Sequence, residues 1–124
     1  MTVFHTNIEE VTKANTYFRQ VLFTGAHQQL VVMSLLPGEK IGLEVHTNVD
    51  QFFRFEEGTG KVVTDEGEFA VSDNDVVVIP AGTNHNIINT GSEALKLYTI
   101  YAPANHPEGT VHKTKAEAVA AEEH

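Results

Sequence analysis

Residues 37–58 read PGEKIGLEVHTNVDQFFRFEEG, and residues 74–89 read NDVVVIPAGTNHNIIN. Both stretches join turn chemistry to short apolar runs. Pro37-Gly38 marks a chain reversal, Ile41 to His46 is short and extended, and Gln51 to Glu56 carries Phe52, Phe53 and Phe55 before Glu57-Gly58 ends it. Val76 to Ile79 is a buried-strand run between Asp73-Asn74-Asp75 and Pro80, and His85 to Asn89 follows Pro80-Ala81-Gly82. Side chains alternate along a strand, so Glu44 and His46 share one face of their predicted strand. Gln51 lies on the next strand, across the Thr47 to Asp50 turn, and His85 opens another. Together they offer two imidazoles, one carboxylate and one amide oxygen, a nitrogen and oxygen set suited to Mn, Fe, Ni or Zn. A lone strand histidine is ordinarily only packed or hydrogen-bonded; the weight here lies in the combination.

Outward from these stretches the chain keeps the same rhythm. Arg19 to Thr24 and Gln28 to Leu36 are β-branched and apolar runs split by Gly25. Lys61 to Thr64 and Glu68 to Val71 flank Asp65-Glu66-Gly67 in a hairpin-like pattern, and Ala94 to Tyr101 is a last long strand. Roughly eight to ten short strands with turns about every 8–12 residues predict an all-β sandwich or barrel. The ends read differently. Asn7 to Ala14 is a short helix candidate with Asn7 as N-cap. Thr114 to Glu123 is an alanine-rich helix candidate in which Thr114 and Glu117 have capping-box spacing. Ala102 to Val111, with Pro103, Pro107 and Gly109, reads as an irregular connection.

The 124 residues suit one domain, with a barrel over about 17–101 and a C-terminal extension over 102–124. There is no cysteine, which excludes disulfides and a thiolate metal site and fits a reducing compartment. Met1 to Glu10 is polar, unlike a signal peptide, and no apolar run approaches the roughly 20 residues that span a membrane. The expected location is the cytoplasm. Eight Lys and Arg against 17 Asp and Glu give a formal net charge of -9, spread along the chain. Nucleic acid and anionic membrane surfaces both need a basic footprint, so neither is an expected partner.

The first stretch, with Pro37-Gly38, Glu44-Val45-His46, Gln51 and Gly58, resembles the first cupin motif, PG(x)5HxH(x)4E(x)6G. The second, with Asn74, Pro80-Ala81-Gly82, His85 and Asn89, resembles the second, G(x)5PxG(x)2H(x)3N. Two motifs in order form a specific signal, and the likeness extends to about Tyr101. It implies a jelly-roll barrel, a double-stranded β-helix, with the short C-terminal helix appended. It also implies one divalent metal ion on Glu44, His46, Gln51 and His85. Three positions depart from the pattern: Glu44 stands for the first motif histidine, Gln51 for the motif glutamate, and Asn74 for the opening glycine of the second motif. A carboxylate and a neutral donor have thus exchanged places, and the charge offered to a metal is unchanged. Cupin hydroxynitrile lyases are similar in having glutamine at the motif glutamate.

Small stand-alone cupins that look like this chain are grouped with mannose-6-phosphate-isomerase-like proteins. The resemblance implies a metal-dependent isomerase, lyase or dioxygenase. Its substrate would be a small polar molecule: a sugar derivative, a keto or hydroxy acid, or a carbonyl compound. The alternative is a non-catalytic module that binds or senses a small ligand. Pairing of edge strands into a homodimer is expected, as is common in cupins. Tyr101 shares parity with Leu97 and Thr99, opposite to Lys96, which makes it the candidate pocket acid or hydrogen-bond donor. Phe53 and Phe55 read as core aromatics, and Asn86 and Asn89 as strand-end hydrogen bonders. His106 and His112 read as surface residues unless the tail folds over the barrel mouth; His5 and His27 have no assigned role, and His124 is terminal and expected to be disordered. The basic residues near the motifs are Lys40, Arg54 and Lys61, which form no phosphate cluster.

Overall fold

Strands that alternate apolar and polar residues must bury one face, and here two sheets do so against each other. A computed structural model describes residues 2–122. The described elements run α1 (Ile8–Ala14), β1 (Arg19–Thr24), β2 (Gln29–Leu35), β3 (Asp50–Glu57), β4 (Gly60–Thr64), β5 (Gly67–Val71), β6 (Val76–Ile79), β7 (His85–Asn89), β8 (Leu95–Ala102), β9 (Val111–His112) and α2 (Lys115–Glu122). The expectation for His124 and the last position of the 114–123 helix lie outside the described residues. A six-stranded sheet ordered β6-β3-β8-β2-β1-β9 faces a three-stranded sheet ordered β5-β4-β7, and every pairing is antiparallel. This is the jelly-roll barrel.

The register stacks the interior in layers. Met33, Leu97 and Phe55 align across β2, β8 and β3; Val31, Thr99 and Phe53 form the next row; Gln29, Tyr101 and Gln51 form the third. All nine are buried. The interior therefore changes from apolar to polar toward one end. On the facing sheet, Asn89, Ile87 and His85 climb β7 in the same sense, and all three are buried. Asn89 closes the apolar end: its Nδ2 donates to the carbonyls of Leu35 (2.9 Å) and Glu93 (2.8 Å), and its Oδ1 accepts from the Gly91 N–H (2.9 Å).

Both helices start as their caps dictate. Asn7 Oδ1 accepts from the Glu10 N–H at 3.0 Å, and Thr114 Oγ1 accepts from the Glu117 N–H at 3.1 Å. The Glu117 carboxylate reaches the Lys113 N–H at 3.2 Å, one residue earlier than a reciprocal capping box would have it. α1 lies on the outer face of the larger sheet, where Lys96 Nζ donates to the Asn15 carbonyl.

Two segments differ from the sequence reading. Ile41 to His46 is not a strand: it contacts the smaller sheet through isolated bridges, Lys40 to Ile88 and Glu44 to His85. The cause is Gly42, whose φ of +112° turns the backbone, and whose N–H goes to Asn86 Oδ1 (2.9 Å) instead of a ladder carbonyl. The 102–111 connection is irregular for most of its length but ends in β9, which pairs with β1 and brings the tail back to the barrel.

Asn74 also has a backbone explanation. Its φ is 74°, in the left-handed region where the cupin motif places glycine. Asparagine is among the few L-residues that occupy that region readily. Asn74→Gly should therefore leave stability nearly unchanged, whereas Asn74→Val should lower it by about 1–2 kcal/mol. Urea denaturation of the two variants checks this; equal stability would show that the φ value is not a constraint.

Candidate metal centre

At the polar end of the barrel the four predicted ligands come from three backbone settings. Glu44 and His85 face each other across a bridge in which each N–H donates to the other's carbonyl at 2.9 Å. His46 is tied through its carbonyl, which accepts from the Gly82 N–H at 2.8 Å. Gln51 sits at the start of β3, paired with Ile79 on one side and Tyr101 on the other. Lys115, at the first turn of α2, donates to the carbonyls of Lys40 and Ile41 and so pins the segment leading to Glu44.

One donor atom each from Glu44, His46 and His85 lies within 4.8 Å of the others. His46 Nε2 is 3.9 Å from Glu44 Oε2, and the two imidazole centroids are 5.6 Å apart. His85 Nδ1 lies 3.0 Å from the Thr83 carbonyl and donates to it, which leaves Nε2 as the ring nitrogen available to the site. Gln51 donates its Nε2 to Thr99 Oγ1 at 3.0 Å, which leaves Oε1 unused. His46 Nε2, His85 Nε2 and Gln51 Oε1 are all buried and have no hydrogen-bond partner among the described residues. Three orphaned acceptor atoms beside one carboxylate are what a cation would satisfy. Burial holds the His46 imidazole below its ordinary pKa, with His85 and Arg19 adding to the effect, so it stays neutral and able to ligate. Burial raises the Glu44 carboxyl, and Arg19 partly offsets this.

Residues 31–101 match the cupin domain of the Cupin_2 family. The chain belongs to the cupin family. The Bacillus subtilis protein YrkC is 55% identical over 126 residues, covering 97% of this chain and 68% of that protein. A protein of Acanthamoeba polyphaga mimivirus is 45% identical over 113 residues, covering 88% of this chain and 71% of its own. The crystal structure of BH2720 from Bacillus halodurans superposes with a TM-score of 0.93 at 51% identity, over 94% of this chain and 93% of that one.

Around the donor set, this cupin has a wall that its motifs do not contain. Tyr101 is buried, its ring edge-on to His46 at 5.7 Å and to His106 at 5.1 Å. Burial pushes its hydroxyl well above the ordinary range, partly countered by Arg19. The protonated hydroxyl lies within hydrogen-bond distance of His106 Nε2, 3.2 Å away. The tail does fold over the barrel: Gln29 Nε2 donates to the His106 carbonyl (2.7 Å), and Gln29 Oε1 accepts from the N–H groups of Asn105 (3.1 Å) and His106 (3.0 Å). Phe53 is core, as read, with its ring against His85 at 6.1 Å.

The residue the sequence reading missed is Arg19. Among the basic side chains it is Arg19, and not Lys40, Arg54 or Lys61, that is buried in the barrel beside this set. Its signal was its parity with Val21 on β1, a charge on an inward row.

Burial, with Arg19 and His112 adding to it, lowers His106 from 6.5 to about 3. A histidine kept neutral by the fold contributes stability present in full above its unfolded pKa and lost as pH falls toward the folded one. Glu44, whose carboxyl is raised, works in the opposite sense. His106→Gln should therefore weaken the fall in melting temperature between about pH 7 and pH 4. Melting curves across that range decide it; an unchanged slope in the variant would remove His106 as the acid-sensitive group.

Proposed function

We propose that this cupin is a divalent-metal-dependent enzyme that acts on a small polar molecule, with Glu44, His46, Gln51 and His85 as the metal ligands. The observation that carries the reading is the set of orphaned, buried acceptor atoms on His46, His85 and Gln51 beside the Glu44 carboxylate. Mn, Fe, Ni and Zn all accept such a set. When bound, such an ion supplies Lewis acidity, polarising a carbonyl or stabilising charge on a substrate oxygen. The protein's part is to hold the ligands rigid through the Thr83 and Thr99 contacts, to exclude water with the Phe53 and Tyr101 rings, and to present the Tyr101 hydroxyl as a hydrogen-bonding group. Isomerase, lyase and dioxygenase chemistry are all compatible with these groups.

One observation favours a second reading, a binding or sensing module without turnover. Tyr101 titrates far above neutrality and His106 far below it, so neither is tuned for proton transfer near pH 7. The whole chain then forms one cupin domain over 1–124, in a reducing cytoplasm that the absence of cysteine suits, and pairs as a homodimer. Exposed Phe69, Val76 and Val78 on neighbouring edge strands support such pairing.

Protein purified without chelator should carry about one metal ion per chain, and His46→Ala or His85→Ala should each lower occupancy at least roughly tenfold. Elemental analysis is the readout; full occupancy in both variants would move the site elsewhere. Chelation should abolish turnover of sugar, keto-acid and carbonyl substrates, with one divalent ion restoring it best. Ligand binding without turnover, across those classes and metals, would select the binding module.

Gln51→Glu should raise metal affinity, because it adds a second negative charge to the set, and should lower activity by weakening the metal's Lewis acidity. Metal titration and steady-state rates on the same sample test this. No change in either would place Gln51 outside the ligand set.

A further inference from the structure

Arg19 is 1% exposed, yet none of the salt bridges among the described residues includes it. Its Nη1 donates to His112 Nδ1 at 3.3 Å, and its guanidinium carbon lies 5.2 Å from the Phe18 ring centroid. Its Nε is buried and has no hydrogen-bond partner among the described residues. A buried cation without an anionic partner is a costly arrangement. Two neutral acceptors, His112 and the Tyr101 hydroxyl, and an aromatic face compensate it only in part. The Glu44 carboxylate feels its charge, and that carboxylate belongs to the metal set. A divalent ion engaging Glu44 would leave this end of the barrel with a surplus of positive charge. Both the unused N–H and the surplus charge call for an anion.

We propose that Arg19 is the anion receptor of this site and that the ligand is a small 2-oxo or 2-hydroxy monocarboxylate. The carboxylate sits on the Arg19 fork, and the oxygen at C2 points toward Glu44, His46, Gln51 and His85. A planar guanidinium matches a carboxylate in two parallel hydrogen bonds. A phosphate would call for more positive charge than one arginine; Lys115, the nearby second cation, already donates to the carbonyls of Lys40 and Ile41. Tyr101, which interacts with Arg19, stands between the two ends of such a ligand, with its ring against His46. The C2-oxygen half of the proposal rests on the metal reading above. The carboxylate half rests on Arg19 alone.

The test is calorimetric titration of the full chain with pyruvate and with pyruvamide, in which an amide replaces the carboxylate. Both are run on Mn-loaded and on chelator-treated protein, for wild type, Arg19→Met and Arg19→Lys. Wild type should bind pyruvate at least roughly tenfold tighter than pyruvamide. Arg19→Met should lose that preference while keeping its metal content by elemental analysis. Arg19→Lys keeps the charge but not the fork, and should bind pyruvate several-fold more weakly than wild type; it decides the matter if Arg19→Met does not fold. Equal binding of the two probes by wild type, no pyruvate binding, or unchanged affinity in the folded variants would overturn the proposal. Failure of the metal reading looks different: Mn would not bind, while chelated wild type would still prefer pyruvate in an Arg19-dependent way.

Discussion

The reciprocal hydrogen bonds between Glu44 and His85 are the constraint on which the candidate centre depends. They couple a segment with no sheet ladder of its own to a strand at the edge of the smaller sheet. Residues directly opposite in an antiparallel bridge project their side chains to the same side. The carboxylate and one imidazole are thus neighbours by backbone geometry, before any side-chain interaction acts. The remaining contacts keep the 41–46 segment from drifting off that bridge. The Gly42 N–H is held by Asn86, the His46 carbonyl by Gly82, and the Ile41 carbonyl by Lys115. Gln51 needs no such clamps, because it lies within the β6-β3-β8 ladder.

The exchange of a carboxylate and a neutral donor between positions 44 and 51 is consistent with where those positions lie. Gln51 is 1% exposed, packed beside Tyr101 and bonded to Thr99, whereas the Glu44 side chain keeps 19% of its exposure. A charge costs less at the partly hydrated position than at the dry one. The amide at 51 satisfies its N–H side on Thr99 and offers a neutral oxygen. The carboxylate at 44 draws support from Arg19 and Lys115. The donor chemistry of the set is kept, and its negative charge moves toward the mouth of the barrel.

His46 and His85 stood out in the sequence through motif spacing, whereas the strand parity that paired His46 with Glu44 belongs to a strand that does not form. The layered core was legible through parity: Leu97, Thr99 and Tyr101 alternate with Lys96 and Tyr98, and alternation is a local property. Glu44 was assigned to a strand that does not form, since one glycine in an unusual conformation undoes a short extended run without disturbing its apolar pattern. Arg19, His106 and His112 reach the site only through tertiary structure. β9 pairs with the start of β1, and Gln29 binds the tail backbone on both sides of its amide. Pairings between residues so far apart leave no mark in spacing, and an arginine at a strand start reads as solvated until its neighbours are known.

An acidic protein with an anion receptor inside is not a contradiction. The formal charge of -9 is spread along the chain, and solvent-exposed charges are screened beyond about 8 Å at physiological ionic strength. Within the barrel the screening is far weaker, so Arg19 and any cation held by Glu44 govern the local potential. The His46 and Glu44 side chains keep 12% and 19% exposure, while Arg19, Tyr101 and Gln51 keep almost none. A ligand therefore meets Glu44 and His46 at the mouth before it meets the guanidinium deeper in. The outer charge slows the approach of an anion, and the inner charge determines which anion stays. Such a division favours selectivity over speed of capture.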